Sequence, residues 1–219
     1  MIRTRTRWIV IGIVLVLALP AWAQRGQQAP QIPGLFKPVV GSGAQYAITT
    51  KKGEKYLWAY AIVGKEMVQA AEGYWVEMRL ESGGPQRMLM KTLLVTSGPK
   101  PEVKRMIMQM EGQPPMEMPM GGMMGGMMKQ GRESAPVDTG LGEKVGTEMV
   151  TVPAGTFLCD HYRKMDPNGM AEYWMSSKVT PYGCVKVIAP LETMELTKLL
   201  TNETSQIKGE PKKFEMPRF

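Results

Sequence analysis

Seven methionines fall between residues 116 and 128, at Met116, Met118, Met120, Met123, Met124, Met127 and Met128, and glycine and proline supply most of what separates them. Thioether sulfur is a soft ligand that favours Cu(I), and three or so such sulfurs on a pliable segment wrap one ion. The same side chain is flexible and polarizable, which suits it to irregular apolar partners. The stretch therefore has two chemical readings, a Cu(I) or Ag(I) trap and a deformable cover over an apolar ligand. A solvated loop with neither role is the third. No histidine lies within it to assist a metal.

The remaining reactive inventory is small. The one histidine, His161, stands in "CDHYRK", and a strand histidine between Asp160 and Tyr162 reads as an ordinary surface residue. No serine elbow, pair of metal-spaced histidines or phosphate loop is present, so no catalytic residue and no cofactor is expected. Cys159 and Cys184 are the only cysteines. In an exported chain such a pair predicts a disulfide. Their segments read as the first and third strands of a meander, however. Strands two places apart lie roughly 9.5 Å from each other, beyond the reach of the bond, so closure would need a bend, a bulge or another strand order.

Export is read from the N-terminus. Arg3, Arg5 and Arg7 precede the apolar run "WIVIGIVLVLAL" and then "PAWA" before Gln24, the order of a secretory signal over 1–23 with cleavage after Ala23. A periplasmic or extracellular location follows. No later run approaches the length of a spanning helix, so no transmembrane span is expected in the mature chain. The signal holds three of the 27 basic residues and none of the 20 acidic ones, leaving 24 minus 20, or +4. The lysines are scattered, the densest group being Lys208, Lys212 and Lys213, and no clustered nucleic-acid footprint results. Phe219 would suit the end of an outer-membrane strand, but Pro217 interrupts "FEMPRF" and "TFLCDHYRKM" lacks a lipid-facing register. An integral barrel is not expected.

The elements that must position these groups read mainly as strands. Residues 24–43 form a Gln/Gly/Pro-rich arm, 44–200 a single β-rich domain with a methionine-rich insert at 103–131, and 201–219 a polar basic tail. In "YWVEMRLE", Tyr74, Val76, Met78 and Leu80 alternate with Glu77, Arg79 and Glu81, the pattern of a half-buried antiparallel strand with Trp75 on its polar side. Further strands are expected in "AQYAITTK", "KYLWAYAIVG", "RMLMKTLLV", "KVGTEMVTV", "TFLCDHYRKM", "AEYWMSSKV", "CVKVIAP" and around Met194 and Leu196. "DPNG" at 166–169 supplies a hairpin turn. In "PEVKRMIMQM", Val103, Met106, Ile107 and Met110 recur at helical spacing after Pro99 and Pro101, predicting a short helix. The same letters also permit a strand with Met106, Met108 and Met110 on one face. The fold expected is mainly β, a large curved antiparallel sheet or incomplete barrel with one short helix and a disordered Met/Gly/Pro-rich loop. Val103, Met106, Ile107 and Met110 would then form a lid over an apolar site.

The motifs "VPAGTFLCDHYR", "EYWMSSKVTPYGCVKV" and "LETMELTKLL" resemble a family of exported bacterial β proteins without an assigned activity. Its members join a Val-Pro-Ala-Gly-Thr-Phe strand to a Trp-containing strand and a Pro-x-Gly-x-Val-Lys strand, and many carry a methionine-rich insert before that unit. The resemblance covers Lys144 to Leu200, and more loosely Gly41 to Ser97. Beyond it, the chain is similar to the periplasmic lipoprotein-carrier (LolA/LolB-like) fold. That similarity implies an incomplete antiparallel barrel whose concave face, closed by helices, holds acyl chains. The chain is thus expected to bind an apolar or lipid-like ligand or a protein partner at the envelope, with a purely structural or interaction domain as the alternative.

Overall fold

The computed structural model describes residues 36–82, 87–96, 101–119, 141–166 and 168–213. The signal segment, most of the leading arm and the methionines from Met120 to Met128 lie outside them. Twelve strands form one sheet: β1 (Gly43–Thr50), β2 (Lys55–Val68), β3 (Ala71–Ser82), β4 (Arg87–Val95), β5 (Glu102–Met110), β6 (Met116–Glu117), β7 (Glu143–Val152), β8 (Gly155–Asp166), β9 (Gly169–Met175), β10 (Cys184–Ile188), β11 (Glu192–Leu200) and β12 (Lys212–Lys213). Their order is β12-β6-β5-β4-β3-β2-β1-β11-β10-β9-β8-β7. The sheet is open. Every pairing is antiparallel except β12 with β6, which is parallel.

Two consecutive meanders account for this order, because short turns make each strand pair with the one before it. The first runs from β1 to β5 and the second from β7 to β11, and β1 joins them by pairing with β11. The "DPNG" turn closes β8 onto β9, with Asp166 opposite Gly169 and Gly169 at φ 126°, a conformation that a side chain would strain. The centre of the sheet is packed by Tyr46, Tyr60 and Tyr182. The Tyr60 ring meets Tyr182 edge-on at 5.5 Å, and Tyr46 Oη donates to the Cys184 carbonyl at 3.0 Å. The second meander curls back on itself, so that the Ala154 N–H in the β7–β8 turn donates to the Leu196 carbonyl of β11.

Three expectations change. The helix predicted from Val103, Met106, Ile107 and Met110 is the strand β5, and no helix occurs among the described residues. A nine-residue helix is marginal alone, whereas β5 bonds to β4 along its length and to β6 at Ile107 and Met108. The helices that the carrier resemblance places over the concave face are therefore absent from the described residues. The expected Cys159–Cys184 disulfide is not formed, and both cysteines are buried free thiols. They stand on β8 and β10 with β9 between them, a separation of roughly 9.5 Å between strands, too wide for the bond.

Burial pushes the Cys159 thiol up to about 11 and the Cys184 thiol up to about 12, so both stay protonated at neutral pH. Ellman's reagent at pH 8 is expected to find no reactive thiol in the native protein. Two should titrate in denaturant without any reductant. A denatured, unreduced sample that gave none would show a closed bond instead.

Candidate functional site

Strand register gathers the methionines of β3 to β6 on one side of the sheet. Met116 of β6 faces Met108 of β5, which faces Met90 of β4, which faces Met78 of β3, which faces Tyr60 of β2. Directly opposed residues share a face and stand about 5 Å apart, so four thioethers form an unbroken row. The row beside it is Trp58, Leu80, Met88 and Met110, and on the other side lies Ile62, Val76, Thr92 and Met106. The Met118 N–H donates to the Met106 carbonyl at 2.9 Å, holding the start of the methionine-rich loop against β5. Burial grades along the row. Met78, Met90 and Met106 are buried, Met88, Met108, Met116 and Met118 are half-buried, and Met110 is 44% exposed.

The back of the same strands is built differently. Its rows read Trp75, Leu93, Arg105, then Glu77, Lys91, Ile107, Glu117, then Arg79, Leu89, Gln109. Charged and polar residues alternate here with Trp75, Leu93, Ile107 and Leu89, and none of these positions is a methionine. Methionine on β3 to β6 is therefore sorted by face, which a general compositional bias would not produce.

The C-terminal segment crosses this back face. Ile207 packs with Trp75, Leu93 and Ile107 in one apolar cluster. Glu77, fully buried, accepts from Ser205 Oγ at 2.6 Å and from the Gln206 N–H at 3.0 Å, and Arg79 Nε lies 3.4 Å from it. Arg79 also pairs with Glu203. Farther along, the Lys212 N–H donates to the Pro115 carbonyl, and Lys212–Lys213 pairs with β6. The side of β3 that alternation marks as polar and open is thus closed by residues 203–213. Trp75 is buried there, its indole N–H donating to Glu66 and its ring lying under Lys91 and Arg105. On the same face the Arg105 guanidinium hydrogen-bonds Glu117 and holds its carboxyl below the usual range, which fastens β6.

Three of the four proposed lid residues share a face. Val103, opposite Leu94, lies with Met106 and Met110 on the methionine face, while Ile107 is in the back cluster. A strand turns residues i and i+1 to opposite sides, so Ile107 points away from its neighbour Met106. Of the proposed metal ligands, Met116 and Met118 adjoin the sheet, and Met120, Met123, Met124, Met127 and Met128 are outside the described residues. Met78, Met88, Met90 and Met108 were not singled out from the sequence. Their alternation in "YWVEMRLE", "RMLMKTLLV" and "KRMIMQM" was the available signal. Two shallow depressions, of about 210 and 200 Å³, lie elsewhere on the surface, the second with Met110, Leu89 and Gln206 in its wall. Both are smaller than the roughly 300 Å³ at which small-molecule pockets begin.

His161 belongs to a separate cluster. Its ring stacks on Trp174 with centroids 4.4 Å apart, Nδ1 lies 3.2 Å from Glu148, and Nε2 lies 3.3 Å from Glu172. Trp174 Nε1 donates to Glu148 at 2.6 Å. Cys159, two residues before His161, points its sulfur at the Phe157 carbonyl, and its raised thiol makes it a poor nucleophile. No group of three or more His, Cys, Asp or Glu side chains among the described residues is arranged to hold a metal ion.

No family model matches the chain, and no curated protein matches it. Two solved structures are similar. A "putative lipoprotein" from Parabacteroides distasonis is 12% identical with a TM-score of 0.37, over 77% of this chain and 99% of that one. A "putative exported protein with YmcC-like fold" from Bacteroides fragilis is 12% identical with a TM-score of 0.37, over 76% of this chain and 99% of that one. No helix among the described residues is long and apolar enough to cross a membrane.

Proposed function

We propose that the chain is an exported, non-enzymatic binding protein whose methionine face receives an apolar, lipid-like ligand. The observation that carries this reading is the sorting of methionine to one face of β3 to β6. Strands ordinarily favour β-branched and aromatic residues, and the back face of these strands uses Trp75, Leu93, Val95 and Ile107. Thioethers on the front make a surface whose shape adapts to its occupant. Trp58 and Leu80 extend the apolar area toward the centre of the sheet. The signal-like N-terminus supplies the compartment in which envelope lipids are met.

The test is extraction of the purified mature protein followed by mass spectrometry, with displacement of a fluorescent fatty acid as a second readout. Close to one acyl lipid per chain is expected, with the loss of most of it when Met108 and Met116 are both replaced by glutamate. A protein that carries no lipid and binds no fatty acid would overturn the reading. A stoichiometric protein partner on the same face would replace it.

A further inference from the structure

The structure assigns a soft-metal site to Met108, Met110 and Met116, with Met88 as its fourth neighbour, taking Cu(I) or Ag(I). It rests on the methionine face being a binding surface, but not on the ligand there being a lipid. Met116 stands directly opposite Met108, Met110 directly opposite Met88, and Met108 and Met110 are two apart on β5. Opposed Cβ atoms lie about 5 Å apart, and residues i and i+2 of a strand are about 6.7 Å apart. Each sulfur lies two bonds beyond its Cβ, and rotation about Cα–Cβ and Cβ–Cγ can turn neighbouring sulfurs toward one centre.

These four are the accessible methionines of strands β4 to β6. Met88, Met108 and Met116 are half-buried and Met110 is exposed, whereas Met78 and Met90 are covered. The row therefore offers a rigid, buried base and an accessible rim of thioethers fixed by strand register. A monovalent soft ion suits neutral sulfur ligands, because hard divalent ions want oxygen. Lys212 stands beside Met116 in register but is exposed, so its ammonium reaches into water and is screened there. The methionines after Pro119 follow directly in the chain, so the assignment has to be separated from them by experiment.

Leucine makes that separation, since it keeps the apolar volume of methionine and removes the sulfur. Ag(I), which is redox-inert, is titrated into the mature protein, with native mass spectrometry for stoichiometry and a competing chelator for affinity. The wild type is expected to hold one tightly bound ion. The triple variant M108L/M110L/M116L should bind it more weakly by about tenfold or more, with a melting temperature within about 5 °C of the wild type. Leucine at Met120, Met123, Met124, Met127 and Met128 should leave that affinity unchanged. A wild type that binds no silver, or a triple variant that binds it as well as the wild type, overturns the assignment. Silver lost only with the loop variant moves the metal to the loop. Lipid measured in the same samples reports on the lipid reading independently, because leucine retains an apolar surface.

Discussion

Replacing Glu77 by leucine is expected to destabilise the protein by about 3–5 kcal/mol in urea unfolding. Glu77 is fully buried on β3, and it is the acceptor for the Ser205 hydroxyl and the Gln206 N–H. It also lies beside Arg79, which is only 8% exposed. Leucine removes the carboxylate and leaves two donors and a guanidinium facing an apolar side chain in a site that water scarcely reaches. Glu203 still holds one end of Arg79, which keeps the cost from being larger. The double variant E77L/R79L should recover part of the loss, since an apolar pair of similar volume avoids the desolvation of both charges. Trp75 fluorescence reports the same event, because Ile207 rests against that indole. A cost below about 1 kcal/mol, in the range of exposed pairs, would show that the C-terminal segment is not anchored by Glu77.

This anchor was hard to see in the sequence, for a physical reason. "TNETSQIKGEPKK" offers a single large apolar residue, Ile207, and alternation along β3 assigns Glu77 and Arg79 to water. Only a segment from more than 120 positions away turns that face into an interior. The strands of both meanders were far more legible, since alternation and the "DPNG" turn are local signals. β5 failed because Val103, Met106, Ile107 and Met110 satisfy helical spacing while Met106, Met108 and Met110 satisfy strand spacing. Pairing with β4 and β6 decides between them, and pairing is not local information. The methionine rows fail in the same way. Met78, Met88, Met90, Met108 and Met116 are each visible as alternating residues, but register alone places them opposite one another.

The row also predicts that its two ends respond differently to substitution. Met78→Ala is expected to cost about 3 kcal/mol, because the side chain is 2% exposed and packs between Tyr60 and Met90 on neighbouring strands. Met78→Leu should cost less than about 1.5 kcal/mol, since volume and apolarity are conserved. At Met116, half-buried on the two-residue strand β6, the alanine cost should be well under half of that at Met78, because less surface is removed from contact. Urea denaturation of the four single variants, alanine and leucine at each site, measures the gradient. Equal costs at both ends would mean that the whole row is core, and that no rim is open to a ligand of any chemistry. A steep gradient means that the chain spends stability only on the buried half. The thioethers at the rim then contribute little to packing, and the lipid and silver measurements ask what they bind.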